Sequence, residues 1–349
     1  MSDPASVVVV APNWLGDAVM ALPAVSDVRR RFPSARLVVA ARRAVADIFH
    51  LVPFVDELVT LQWSGTWWHR RVFATDAGRL RHLGADLAIL LPNSFAAAWL
   101  ARRAAIPDRW GYGSDMRSGL LSRVVRRPKG GLHQGAYYQH LTRALGIESG
   151  PLEPAVTISD GASAAARQQL FDRGWDGVRP VIVFAPGAAY GTAKRWMLSY
   201  VARVATDLVR QRQATCVMVG SSDDASTARD VVGAIEADAR SHVIDVTGQT
   251  TIEMLAGLLS IATACVSNDS GAMHLASAVG APLVALFGPT RENETAPLTR
   301  SGSRAEVLTH PVWCRPCMLR ECPIDHRCMT GITPDRVYAA LTSLLSSTT

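Results

Sequence analysis

Lysine is almost absent from this sequence: of 36 basic residues only Lys129 and Lys194 are lysine, and the rest are arginine. A chain that writes its cations as planar guanidinium forks makes each surviving ammonium group a candidate for work that needs a compact point charge. Charge itself is sparse, at 19% of residues against 48% hydrophobic, which excludes a disordered or charge-solvated chain. No export signal is evident, because residues 1–6 hold no basic cluster and the apolar run Val7–Ala11 is far shorter than a signal core. The longest stretch without a formal charge, Ser270–Thr290, is split by Gly280-Ala281-Pro282 and ended by Gly288-Pro289, so it reads as helix, turn and buried strand rather than a membrane span. The expected location is therefore the cytoplasm, a reducing compartment in which six cysteines are more readily metal ligands or free thiols than disulfides. Two nucleotide-binding signatures are also missing. The first strand-to-helix turn, Pro12-Asn13-Trp14-Leu15-Gly16-Asp17, lacks the Gly-x-Gly-x-x-Gly of dinucleotide sites and puts a carboxylate where a phosphate would be repelled. Gly187-Ala188-Ala189-Tyr190-Gly191-Thr192-Ala193-Lys194 lacks the Gly-Lys-Ser/Thr ending of a P-loop.

The chain does hold an alternation of short β-branched runs and longer amphipathic segments. Its 349 residues suit two domains of about 150–200 residues. Strands are expected at Ser6–Ala11, Arg36–Ala41, Glu57–Leu61 and Asp86–Leu91, with helices at Ala18–Arg31, Arg42–Leu51, Thr75–Leu83 and Ser94–Ala104 between them. After the Gly/Pro-rich passage Gly146–Pro154 the rhythm restarts. Strands follow at Val181–Ala185, Thr215–Gly220, His242–Val246, Ala264–Ser267 and Leu283–Phe287, and helices at Arg195–Gln211, Ala225–Ala239, Ile252–Leu259 and Gly271–Val279. Fully apolar strands in βαβ succession predict an α/β protein of two doubly wound, Rossmann-like domains, residues 1–155 and 156–349, the second ending in a cysteine-rich segment (314–328) and a terminal helix (334–346). Two such domains facing across a cleft suit a dinucleotide-dependent enzyme or a nucleotide-sugar transferase of GT-B architecture. The missing glycine fingerprint argues for the second.

Three segments carry candidate chemistry. Asp17 follows a strand end and Gly16, where open α/β sheets bind ligands; it is a candidate general base, or simply a helix cap. In Ala185–Trp196, Gly187, Thr192 and the exposed N–H groups of a glycine turn, with Lys194 and Arg195, make a candidate diphosphate cradle. In Ser267–His274, Asp269 and Ser270 at a strand end, Gly271 and His274 form a candidate ligand pocket, although each alone suits a cap or a core histidine.

Taken in order, Leu15-Gly16-Asp17 with Pro23, Ala185-Pro186-Gly187-Ala188 with Lys194-Arg195-Trp196, and Asn268-Asp269-Ser270-Gly271 with His274 and Phe287-Gly288-Pro289 resemble glycosyltransferase family nine, the ADP-heptose:lipopolysaccharide heptosyltransferases. Leu91–Phe95, Arg109–Tyr112, Met116-Arg117, Gly119–Leu121 and Gly220–Ser222 are similar to the branch that adds the second heptose. The resemblance implies a GT-B fold that holds the acceptor in the N-terminal domain and ADP-heptose mainly in the C-terminal one. It implies Asp17 as catalytic base, Lys194 on the diphosphate, and Asp269, Ser270, Gly271 and His274 around the nucleotide sugar, with Asp224 near the nucleoside. It further implies inverting transfer of L-glycero-D-manno-heptose to heptosyl-Kdo2-lipid A, with no metal required. The acceptor would be lipid-linked, at the inner leaflet of the cytoplasmic membrane. Relatives that add the first or a later heptose are the nearest alternative.

Two segments stand outside that scheme. Cys314-x2-Cys317-x4-Cys322-x5-Cys328 has the look of a structural metal site, or of free thiols in a surface loop. Trp63, Trp67 and Trp68 beside His69, Arg70 and Arg71 are either a partly buried loop or an aromatic, basic surface for peripheral docking on an anionic membrane. A net charge of +6 and the cysteines also admit a zinc-bearing nucleic-acid module, but the arginines are spread along helices rather than gathered, so no nucleic-acid partner is expected.

Overall fold

The computed structural model describes residues 3–63 and 69–346 and divides the chain into two compact units, Met1–Thr157 and Ile158–Thr349. The first is built on strands β1 (Ser6–Val10), β2 (Arg36–Arg42), β3 (Glu57–Leu61), β4 (Leu87–Leu90), β5 (Asp108–Tyr112) and β6 (Arg123–Val125). They form one parallel sheet in the order β3-β2-β1-β4-β5-β6. Strand β1 is Ser-Val-Val-Val-Val and is buried along its whole length. Stiff β-branched side chains suit a pleat covered on both faces, and each valine taken out of water contributes about 1.5–3 kcal/mol.

The second unit repeats the plan with β7 (Val181–Ala185), β8 (Thr215–Met218), β9 (Val243–Asp245), β10 (Ala264–Asn268), β11 (Leu283–Phe287) and β12 (Ala305–Thr309). The order is β12-β11-β10-β7-β8-β9, again all parallel. Each sheet reverses its strand order at one place, between β1 and β4 in the first unit and between β7 and β10 in the second. Connections leave on opposite faces there, opening a crevice at the strands' carboxyl ends where ligands bind.

Strands β5, β6 and β12 are absent from the sequence reading. They lie on the outer side of their sheets and mix polar with apolar residues, so no apolar run marks them. Helices Gln134–Ala144 and Asp160–Phe171 are likewise additions, and the helix expected from Thr75 begins at Arg70. The segment expected as one helix from Arg42 to Leu51 is a short α-turn, Arg43–Ala46, running into a 3-10 turn, Asp47–Leu51. The terminal helix, Pro334–Ser346, packs on Leu198–Arg212 and seals the second core, where Trp196 is buried and gives its indole N–H to the Ile332 carbonyl at 2.8 Å.

Candidate active site

In the first unit, β1 ends at Val10 and the chain enters helix Leu15–Arg31 through Trp14, which occupies the N-cap position without a side-chain cap bond. Asp17 is the third helical residue, so it is not the cap; Gly16 sits beside it in the same first turn. The amide ends of that turn favour a carboxylate. A second contact fixes its direction. Tyr138, buried on helix Gln134–Ala144, hydrogen-bonds the Asp17 carboxylate with its hydroxyl. Burial, with Asp17's charge adding to it, pushes the Tyr138 hydroxyl well above its ordinary pKa, so that hydroxyl remains a donor to Asp17. Asp17 is thus a positioned carboxylate at the carboxyl end of β1, beside the switch point.

The second unit builds its site from the ends of β7 and β10. After Ala185 the chain turns at Pro186-Gly187, and a Cβ on Gly187 would lie 2.2 Å from the Asp224 carboxylate, so only glycine fits. Asp224 is held in turn: its Oδ2 accepts from the Ser221 amide at 3.0 Å and hydroxyl at 2.7 Å in a capping box, and its Oδ1 is 4.0 Å from Arg195 Nη2. Asn268, at the end of β10 and 1% exposed, ties both arms of the turn. Its amide donates to the carbonyls of Pro186 at 2.8 Å and Gly187 at 3.2 Å, and its oxygen accepts from the Trp196 amide at 3.2 Å. Thr192-Ala193-Lys194 forms one 3-10 turn between those anchors.

Lys194 ends that turn with Nζ 2.7 Å from Oδ2 of buried Asp269, which also accepts from the Thr290 hydroxyl at 2.7 Å. Ser270 then occupies the N-cap of helix Gly271–Val279 without a cap bond, its hydroxyl 3.1 Å from that of Ser267. Its open amides, headed by side-chain-free Gly271, are suited to an anion. His274, in the next turn, is 3% exposed.

The structure therefore gathers Gly187, Thr192, Lys194, Asp224, Asp269, Ser270, Gly271 and His274 at the ends of β7 and β10 or on the elements that follow β7, β8 and β10, and sets Gly16 and Asp17 at the end of β1. Tyr138, Asn268 and Thr290 carry roles that the sequence reading did not assign. Asn268 alone left a signal, as a buried amide next to a strand-end carboxylate.

The cysteine expectation has no assembled ligand set behind it. Cys314, Cys317, Cys322 and Cys328 are free thiols, and among the described residues no three His, Cys, Asp or Glu side chains converge as metal ligands. They are nonetheless neighbours: burial raises the pKa of the Cys328 thiol, and the charges of the other three raise it further. Of the tryptophan segment, Trp67 and Trp68 lie outside the described residues. Trp63 packs edge-on against Phe73 with ring centres 5.1 Å apart, and the Arg42 guanidinium lies over it, so it serves its own unit.

Two doubly wound units, one presenting a held carboxylate and the other a lysine-bearing glycine turn at their switch points, define the GT-B class of glycosyltransferase. The chain belongs to glycosyltransferase family 9, the heptosyltransferases, whose family model matches residues 77–327. It is 30% identical over 355 residues to lipopolysaccharide heptosyltransferase 2 of Salmonella typhimurium, covering 97% of this chain and 98% of that one. The structure of E. coli ADP-heptose lps heptosyltransferase II superposes with a TM-score of 0.84 at 28% identity, covering 98% of this chain and 99% of that one. A family 9 glycosyl transferase from Veillonella parvula shares the fold at a TM-score of 0.85 and 21% identity, covering 99% of each chain.

Proposed function

We propose that this enzyme transfers a heptose from ADP-heptose to a lipopolysaccharide inner core that already carries one heptose. The observation that carries the donor half is the Gly187–Lys194 turn at the β7/β10 switch point, with its cation fixed by Asp269. The full-length likeness to heptosyltransferase 2 supports the second-heptose acceptor over the first.

In this reading Asp17 takes the proton from an acceptor hydroxyl as its oxygen attacks the anomeric carbon of the donor. The bond from that carbon to the diphosphate oxygen breaks, and its electron pair leaves with ADP. One displacement inverts the anomeric centre. Positive charge spreads over the ring, as in glycoside cleavage, while negative charge grows on the diphosphate. Lys194, Arg195 and the turn's amides are preorganised to meet that charge where it develops. The residues of the site supply the acid–base and electrostatic chemistry of this step.

A transfer assay with ADP-heptose against acceptors bearing no heptose or one heptose tests the proposal. Turnover confined to the one-heptose acceptor is expected. Preference for the heptose-free acceptor would move the enzyme to the first addition, and no turnover with either would overturn heptose transfer.

A further inference from the structure

The cysteine segment that the transfer reaction leaves unused lies against the diphosphate turn. A Cβ on Gly191 would sit 2.3 Å from the carbonyl oxygen of Arg320, and that same oxygen accepts from the Ala193 amide at 2.9 Å. The Tyr190 hydroxyl donates to the Met318 carbonyl at 3.0 Å. The Tyr190 ring is shared by two cations, with Lys194 Nζ 5.1 Å and the Arg320 guanidinium carbon 5.2 Å from its centre. Arg320 makes no ion pair among the described residues, so the ring and the turn are its neighbours rather than a carboxylate.

The segment is also pinned to the loop after β11. Met318 donates its amide to the Pro289 carbonyl at 3.0 Å, and Arg315 donates to the Gly288 carbonyl at 2.7 Å and the Thr290 carbonyl at 3.3 Å while pairing with Glu292. Thr290 is the residue whose hydroxyl holds Asp269, and Asp269 holds Lys194. Lys194 is therefore approached from both sides by one strap, through Arg320 and Tyr190 on one and through Arg315, Thr290 and Asp269 on the other.

We propose that Arg320 and Tyr190 are positioning residues for the leaving diphosphate, acting through Lys194. The Tyr190 ring gives the ammonium group a second attachment beside Asp269, and the strap fixes the ring. When phosphate draws the lysine from its carboxylate, the ring face keeps it over the turn. The Arg320 guanidinium, by packing on the same ring, limits the ring's rotation. The inference rests on Lys194 meeting the diphosphate.

A double-mutant cycle on ADP affinity tests it. Arg320→Ala and Tyr190→Leu are each expected to weaken ADP binding about 2- to 5-fold, the range of one partly exposed cation–π contact. Tyr190→Phe, which keeps the ring, and Arg320→Lys, which keeps a cation against the ring, should recover most of that loss. In a Lys194→Ala background, Arg320→Ala should have no further effect, because the route runs through the lysine. An equal loss in both backgrounds would overturn the positioning role and make Arg320 an independent contact. A lowered Tm with unchanged ADP affinity would overturn it in favour of a purely structural strap. Gly191→Ala gives a second approach: it displaces the Arg320 carbonyl while leaving all the charges, and should weaken ADP binding in step with Arg320→Ala. Failure of the unmodified chain to bind ADP would instead sink the donor assignment itself, so the two failures are distinguishable.

Discussion

At the scale of single residues, the site works by giving each charged group a neutral or opposite holder. Asp17 has Tyr138, which stays protonated because it is buried, and Lys194 has Asp269, which is 7% exposed and shared with Thr290. Asp17→Asn removes the proposed base but keeps the shape and a hydrogen-bonding partner for Tyr138. It should cut kcat by about 10²- to 10⁴-fold with ADP affinity unchanged. A folded Asp17→Asn enzyme of near-normal kcat would reduce Asp17 to a helix-end charge. Lys194→Ala takes one of its two side-chain partners from buried Asp269 and leaves Thr290 as the other, a loss of about 1–3 kcal/mol. The variant should therefore melt lower as well as bind ADP more weakly. Lys194→Arg should restore part of the stability but little of the binding, because a planar fork does not reproduce an ammonium group at this turn. Unchanged ADP affinity in Lys194→Ala would put the phosphates elsewhere.

At the scale of elements, the proposed donor site is a turn held rigid from behind. Asn268 binds both of its arms, and Asp224 fills the space in which a side chain on Gly187 would stand. Gly187→Ala drives a methyl group into the Asp224 carboxylate, which the Ser221 capping box prevents from moving freely. The expected outcome is loss of ADP binding with the circular dichroism of the fold intact. Normal ADP affinity in that variant would show that the turn adapts and is not a rigid cradle. The cysteine segment takes part in the same bracing: its backbone bridges the Gly187–Lys194 turn and the loop after β11, and it carries its four thiols as neighbours.

At the scale of the whole molecule, the proposed acceptor is lipid-linked, yet no helix among the described residues is long and apolar enough to cross a membrane. The net charge of +6 and the exposed Arg70 and Arg71 at the start of helix Arg70–His82 favour an anionic surface. We propose peripheral, salt-sensitive binding to anionic vesicles, at about 1 kcal/mol for each arginine near the surface. Changing Trp67, Trp68, Arg70 and Arg71 together to alanine should reduce vesicle binding and activity on vesicle-embedded acceptor while leaving ADP affinity intact. Equal vesicle sedimentation of variant and parent would remove this segment from membrane docking.

The two α/β units are legible in the sequence alone, because buried parallel strands need unbroken runs such as Val7–Val10 and Val181–Ala185, and those runs are visible without a neighbour. So are the carboxylates, the lysine and the glycines at the strand ends, since each changes the local chemistry of its turn. The outer strands β5, β6 and β12 were decided only in the tertiary structure, where half-exposed segments such as Asp108–Tyr112 gain their order from the strand beside them. The partners of the site were decided there too. Tyr138 lies far along the chain from Asp17, Asn268 and Asp269 are far from the turn they hold, and Arg320 is farther still. A residue's own chemistry is written locally, whereas what holds it in place is a contact between distant segments, and only the closed fold brings those together.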